Sequence, residues 1–207
     1  LNNIMRICLI GKNLTNYVLA KYLASKNLNV DIIYENKKEN FFFHRTIAIS
    51  KNNFDFLLKI NKKMKIPFWP IKNIKIFSDH TNSKELFEFK NENRENFFLV
   101  KYNDIFNSYE TVCKKSKNIK FKLFKSDSKI KNLYEKNNYN IVINSDSRNK
   151  LNKKYFNKRI EKNYNSFAYT AIMHHEKKKN NVAIQIFTKF GPLAFLPISN
   201  DKTSLVF

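Results

Sequence analysis

Six residues near the start of the chain, Gly11-Lys12-Asn13-Leu14-Thr15-Asn16, have a spacing that in many proteins handles phosphate. A dinucleotide-binding turn wants glycine at the first, third and sixth of such positions. The first makes the turn, the second lets a pyrophosphate approach the backbone, and the third lets helix and strand pack closely. Only Gly11 remains here. Asn13 can take left-handed backbone angles and cap a helix, so the turn can survive, although its side chain crowds a phosphate. Glu35 stands 24 positions beyond Gly11, at the end of a second apolar run, where a carboxylate can accept hydrogen bonds from ribose hydroxyls. Taken alone, these residues suit a nucleotide-binding unit and a βαβ unit with no nucleotide equally well.

Other reactive side chains carry less. His174-His175 suggests a metal pair, but adjacent strand residues point to opposite faces and no Cys or carboxylate cluster completes a site, so no metal is expected. Cys8 falls in an apolar run and reads as a buried strand residue, and Cys113 lies in a helical stretch with no Cys-x-x-Cys partner. Ser50, His44 and Asp55 make no credible triad, and no catalytic side chain is assigned. Trp69 and the Phe42-Phe43 pair suit a core better than a substrate platform.

The elements that must position the turn are legible. IMRICLI at 4–10 reads as a buried strand ended by Gly11. Residues 14–26 place Leu14, Val18, Leu19, Tyr22 and Leu23 on one helical face. NVDIIY at 29–34 is a second strand. Strand, turn, helix and strand within roughly 30 residues is a right-handed parallel βαβ unit. A loop at 36–44 leads to an extended segment at 45–50 and a helix at 51–62, with Phe54, Leu57, Leu58 and Asn61 at helical spacing. Pro67 and Pro70 are expected to break the chain around Trp69. Strands are then predicted near 71–78, 85–89 and 97–101, a helix at 103–116, and strands near 119–124 and 139–143. After a basic polar stretch at 147–163, the tail is β-rich, with strands at 164–174, 181–189, 192–198 and 203–207.

The chain has 207 residues, 43% hydrophobic and 15% aromatic, with 2 Gly, 4 Pro and 2 Cys, which excludes disordered, collagen-like and disulfide-framework classes. No apolar run approaches the length of a membrane span. Lys+Arg of 39 against Asp+Glu of 17 leaves a formal charge of +22. Nearly every cation is Lys, and Asn, Ile and Phe are inflated too, a joint bias that A/T-rich codons produce. Arg forks that read base edges are rare, so no specific nucleic acid is expected. Leu1 in place of Met, and a final strand at 203–207 with nothing after it, suggest a fragment.

Four stretches, in order, resemble the ubiquinone-biosynthesis branch of the FAD-dependent aromatic hydroxylases, which share the para-hydroxybenzoate hydroxylase fold. RICLIGKNLTNYVLAKYLASKNLNVDIIYE is similar to that family's FAD-binding βαβ unit. Arg45-Thr46-Ile47-Ala48-Ile49-Ser50 is close to its Arg-Thr-Ile-Ala-Leu-Ser. IVINSDSRNKLNKK resembles its Gly-Ala-Asp-Gly-x-x-Ser-x-x-Arg segment. In the last stretch, YNSFAYTAIMHHEKKKNNVAIQIFTKFGPLAFLPISNDKTSLVF, the Phe-Thr-x-x-Gly-Pro-Leu-Ala-Phe-Leu-Pro core is the most specific match. The resemblance covers essentially the whole chain but about the first half of a typical member. Asn13 and Asn16 replace two glycines, Asn144 and Ser147 replace small residues, and Lys153 stands near the family's Arg. The later Gly-Asp motif, which reaches the flavin's ribityl chain, lies beyond Phe207.

The resemblance implies an α/β, Rossmann-like FAD-binding domain with an inserted β-rich substrate domain, truncated at the C-terminus. On that plan residues 1–70 hold the βαβ unit and following segment, 71–100 a β insertion, 101–160 the return to the FAD-binding domain, and 161–207 an incomplete substrate sheet. It implies FAD as cofactor and NAD(P)H as electron donor, with O₂ supplying one oxygen to a polyprenylated phenol. Gly11, Asn13 and Asn16 would face the pyrophosphate, Glu35 the ribose, Arg45 the pyrophosphate and flavin, and Asp146 the second motif. Gly191, Pro192 and Phe195 would lie at the substrate cavity. The setting implied is cytoplasmic, with peripheral membrane contact at most and other ubiquinone-biosynthesis proteins as partners. Two alternatives stand beside it: a catalytically decayed homologue serving as a scaffold in a biosynthetic complex, and a basic module for nucleic acid or anionic membrane.

Overall fold

A computed structural model describes residues 5–35, 45–81, 84–90, 94–124, 139–146, 160 and 162–207. His44, the Phe42-Phe43 pair, Ser147 and Lys153 lie outside these residues. The chain divides into two units. One comprises Leu1–Phe41, Leu57–Met64 and Phe106–Asn163, the other Phe42–Phe56, Lys65–Ile105 and Tyr164–Phe207.

The first unit is built on β1 (Arg6–Ile10), α1 (Leu14–Ala24) and β2 (Asn29–Glu35), the anticipated βαβ unit. β1 pairs in parallel with β2 through Arg6↔Asn29 to Ile10↔Ile33. α1 ends where Asn27 takes φ 59 and Leu28 N–H reaches back to Leu23 O at 3.3 Å, turning the chain into β2. Two later strands join the same sheet in parallel: β8 (Ile119–Phe124) beside β2 and β9 (Ile141–Asn144) beside β1, giving the order β8-β2-β1-β9. Strand order thus reverses at β1, and ligands in open α/β sheets bind outside the carboxyl ends of the strands at such a point.

The helical face that carries α1 differs from expectation. Its buried residues are Asn16, Tyr17 and Ala20, whereas Tyr22 is exposed. Tyr17 is the anchor. Its ring meets Phe106 and Phe121 at 5.1 and 6.1 Å, its hydroxyl donates to Glu110 Oε1 at 3.1 Å, and its carbonyl accepts from Cys113 Sγ. Phe106, Glu110 and Cys113 lie on α3 (Tyr102–Lys114). Cys8 is fully buried as expected, Cys113 is equally buried, and burial pushes both thiols up to about 12, which makes them inert packing groups.

The second unit holds two sheets. β3 (Thr46–Ser50), β7 (Phe97–Lys101) and β4 (Phe68–Ile71) form an antiparallel sheet in the order β3-β7-β4. α2 (Lys51–Ile60) follows β3 directly, and its Phe54 packs on Phe98 and Phe68 at 4.5 and 5.1 Å. Pro70 does not break the chain: it sits within β4, an edge strand, the place in a sheet where proline is tolerated. A mixed sheet has the order β10-β13-β12-β11-β5-β6, from β5 (Asn73–Ser78), β6 (Glu85–Lys90), β10 (Thr170–His174), β11 (Val182–Thr188), β12 (Gly191–Pro197) and β13 (Lys202–Val206). β10 is shorter than predicted, beginning at Thr170 rather than at 164. Ile71, Leu99 and Ala183 centre this unit's core, with Trp69 packed against it.

One polar cluster pins the parallel sheet. Asp31, mid-strand in β2, is almost fully buried, and its Oδ2 accepts from Tyr139 hydroxyl at 2.5 Å, Lys122 Nζ at 2.8 Å and Arg6 Nη2 at 3.2 Å. That one oxygen ties β2 to β1, to β8 and to the segment leading into β9, because Arg6 begins β1, Lys122 lies in β8 and Tyr139 stands two residues before β9. Burial alone would raise the Asp31 pKa, but hydrogen bonds from Lys122 and Tyr139, with the charges of Lys122 and Arg6, hold it below 3.8. A depressed folded-state pKa contributes stability that is complete above the ordinary value and is lost as pH falls through the folded one. Urea denaturation should therefore show stability falling below pH 3.8, and Asp31→Ala should cost about 3 kcal/mol at neutral pH by stranding two cations. The variant should lose less than the wild type on going from pH 7 to pH 3; equal acid losses would remove Asp31 from the account.

Candidate functional site

The carboxyl edge of the parallel sheet gathers the sequence-predicted residues of the first unit. Gly11 leaves β1 with φ +111, a region that L side chains avoid, and donates its N–H to Ile33 O at 2.9 Å. Asn13 then caps α1. Its backbone is extended, φ −144 and ψ 166, so the left-handed residue of the turn is Gly11 and not Asn13. The Asn13 Oδ1 accepts from Asn16 N–H at 2.9 Å, while its Nδ2 donates to Ser145 Oγ at 2.8 Å.

Asn16 fills the third glycine position and is fully buried. Its Nδ2 donates to Gly11 O at 2.6 Å and Ile10 O at 3.0 Å, taking up carbonyls where β1 ends. The Asn16 Oδ1 is buried with no hydrogen-bond partner.

Asp146 arrives from the end of β9, and its Cβ lies 3.3 Å from where a Cβ on Gly11 would stand. The βαβ turn and the third motif therefore meet at Gly11. Ser145 is the residue that sequence reasoning missed. The available signal was its place one step before Asp146, at the end of a strand pairing with β1. Glu35 is the last residue of β2 and half-buried, on the same edge of the sheet.

Charge near the turn is already committed. Lys12 Nζ sits 2.8 Å from Glu110 Oε1 and 5.6 Å from the Tyr34 ring centroid, and Lys114 holds the other Glu110 oxygen at 3.2 Å. Burial would raise the Glu110 pKa, yet hydrogen bonds from Lys12 and Lys114 hold it lowered and ionised. No acidic residue stands in the first turn of α1, so its N-terminus keeps a favourable potential for an anion.

The remaining predicted residues lie in the second unit. Arg45 is exposed just before β3, its carbonyl accepting from Tyr102 N–H at 2.9 Å and its guanidinium 5.8 Å from the Tyr102 ring centroid. Thr46 Oγ1 donates to Ser204 Oγ at 3.0 Å, joining the second and fourth motifs. Gly191 opens β12 with φ +133, and its carbonyl accepts from Thr188 Oγ1 at 2.8 Å. Pro192 pairs with Phe187 and Phe195 with Ile184, so the two point to opposite faces of the sheet and do not share one wall. His175 Nε2 lies 3.0 Å from Thr203 Oγ1 and its Nδ1 2.8 Å from Glu176 O, which ties the end of β10 to β13.

The turn tests whether FAD fits. Gly11, Glu35 and Asp146 all stand at the carboxyl edge of the parallel sheet. The pyrophosphate does not fit the turn as it stands, because the Asn13 side chain lies across it and occupies the Asn16 N–H that would donate to a phosphate oxygen.

No family model and no curated protein matches the sequence. Solved structures do. A probable FAD-dependent monooxygenase, PqsL of Pseudomonas aeruginosa, superposes with a TM-score of 0.71 at 10% identity, over 98% of this chain and 59% of its own. CtdE, solved with FAD and a substrate, gives 0.69 at 11% identity, over 98% and 56%. The fold is that of FAD-dependent monooxygenases. A 2-methyl-3-hydroxypyridine-5-carboxylic acid oxygenase gives 0.62 at 6% identity, over 99% and 58%. The chain thus spans under two thirds of the length of each of these proteins.

Gly11 and Gly191 allow a controlled comparison. Both have positive φ, but a Cβ at Gly11 meets Asn13 Nδ2 at 3.0 Å and Asp146 Cβ at 3.3 Å, whereas one at Gly191 meets nothing within 4 Å. Both Ala variants should lose roughly 1–3 kcal/mol to backbone strain, and Gly11→Ala should lose the more. Thermal melts giving equal losses would show that the turn has room to spare.

Proposed function

We propose that the full-length protein is an FAD-dependent monooxygenase acting on an aromatic ring, and more narrowly that it hydroxylates a polyprenylated phenol on the route to ubiquinone. The observation that carries the reading is the likeness of nearly the whole chain to flavin-dependent monooxygenases, with Gly11, Glu35 and Asp146 on the carboxyl edge of the sheet. The unit containing the βαβ fold is then the FAD-binding domain and the unit of two sheets the substrate region. Gly11 and the amides of 13–16 serve the pyrophosphate, Glu35 the ribose, Arg45 the pyrophosphate and flavin, and Asp146 the second motif. Gly191, Pro192 and Phe195 serve the substrate region, with only one of the last two on its wall. NAD(P)H is the proposed electron donor and O₂ the co-substrate. The narrower substrate rests on the four-motif resemblance, above all on Phe187–Pro197 and Arg45–Ser50. A cytoplasmic place, with peripheral membrane contact, suits a lipid-tailed phenol.

The closed turn favours a second reading, a homologue that keeps the fold as a scaffold in a biosynthetic complex. Purification separates the two. The full-length protein should be yellow with non-covalent FAD under the first reading and colourless, taking up none on titration, under the second.

Glu35→Ala should weaken FAD binding by roughly 1.5–3 kcal/mol, the range for hydrogen bonds to a charged group. The Gln variant should lose less, since its amide still offers an acceptor. Flavin fluorescence gives the affinity and apo thermal melts give the control. Unchanged affinity in Glu35→Ala would remove this carboxylate from the site.

A further inference from the structure

We infer that the Asn13 side chain is a latch across the pyrophosphate cradle, anchored on Ser145, and that a dinucleotide binds by turning it aside. The inference rests on the FAD reading and goes beyond it, because it assigns the strength of cofactor binding to the Asn13 side chain and its Ser145 anchor.

Both ends of the latch are engaged. Asn13 Oδ1 takes the Asn16 N–H and Nδ2 takes the Ser145 hydroxyl oxygen, so the amide bridges the first turn of α1 and the segment after β9. Between those anchors lies Gly11, and Nδ2 is 3.0 Å from its would-be Cβ. A pyrophosphate needs that same space and the same helix-terminal N–H.

The closed turn is held only by the two Asn13 side-chain hydrogen bonds, one exposed and one partly buried, and water competes for both. That hold is small enough for a ligand to overcome. Once the latch turns, phosphate oxygens replace Asn13 Oδ1 as acceptor for Asn16 N–H, and the freed Asn13 Nδ2 gains an anionic acceptor.

The test uses the full-length protein with FAD, ADP and adenosine as probes. Asn13→Gly should bind FAD and ADP about tenfold more tightly than the wild type, equivalent to about 1.4 kcal/mol, with adenosine affinity unchanged. Ser145→Ala, which removes one anchor, should tighten both by about threefold. Asn13→Asp keeps the helix cap, and with it the apo melting temperature, but sets a negative charge on the cradle and should weaken both by tenfold or more. Equal, measurable affinity of wild type and Asn13→Gly for FAD would overturn the latch and leave the FAD reading intact. Adenosine tightening as much as ADP would also overturn it, since the change would then be general loosening. If folded wild type and Asn13→Gly both fail to bind FAD and ADP, the latch is not what excludes the diphosphate, and the FAD reading falls with it.

Discussion

Gly11 must turn the chain out of β1 at φ +111 in a space bounded by Asn13, Asn16 and Asp146. That crowding couples three parts of the sequence, because β1, the start of α1 and the segment after β9 converge on one Cβ-free position. It also explains why one glycine survives where two are replaced. Asn13 is accommodated by an extended backbone that caps the helix, and Asn16 by donating to the carbonyls of Ile10 and Gly11. Neither substitution needs positive φ. Gly11 has no such substitute.

Scarce carboxylates organise the charge of the chain. With 39 cations for 17 acids, two of the acids are each shared by two cations: Asp31 by Arg6 and Lys122, Glu110 by Lys12 and Lys114. Removing either acid takes a shared partner from both of its cations. The pairing of Lys12 with Glu110 also turns the first basic residue of the nucleotide turn toward α3, leaving the helix terminus as the local source of positive potential.

Local pattern made much of this legible. The apolar run before Gly11, the 3.6-residue period after it and the second apolar strand closed by Glu35 specify a βαβ unit without reference to anything distant. The β-rich tail was equally plain from alternation. What sequence could not show was set by long-range partners. Asp31 interrupts an apolar strand, and its satisfiers Lys122 and Tyr139 lie 91 and 108 positions away in the chain. The buried stripe of α1 centres on Tyr17 because Phe106, Phe121 and Cys113 receive it, whereas spacing alone favoured the aliphatic residues. Pro70 reads as a breaker until β4 is known to lie at a sheet edge. Pro192 and Phe195 look like neighbours in a motif, but strand alternation separates them.

The turn between β1 and α1 is closed by its own side chains, and amide hydrogen exchange at the start of α1 reads that closure. Thr15 and Asn16 both fall among the first helical amides, which have no intrahelical partner. Asn16 N–H, held by Asn13 Oδ1 in the closed turn, should exchange far more slowly than Thr15 N–H in the ligand-free protein. Comparable fast exchange at both positions would contradict the account, because it would mean that the Asn13 side chain does not cover the turn.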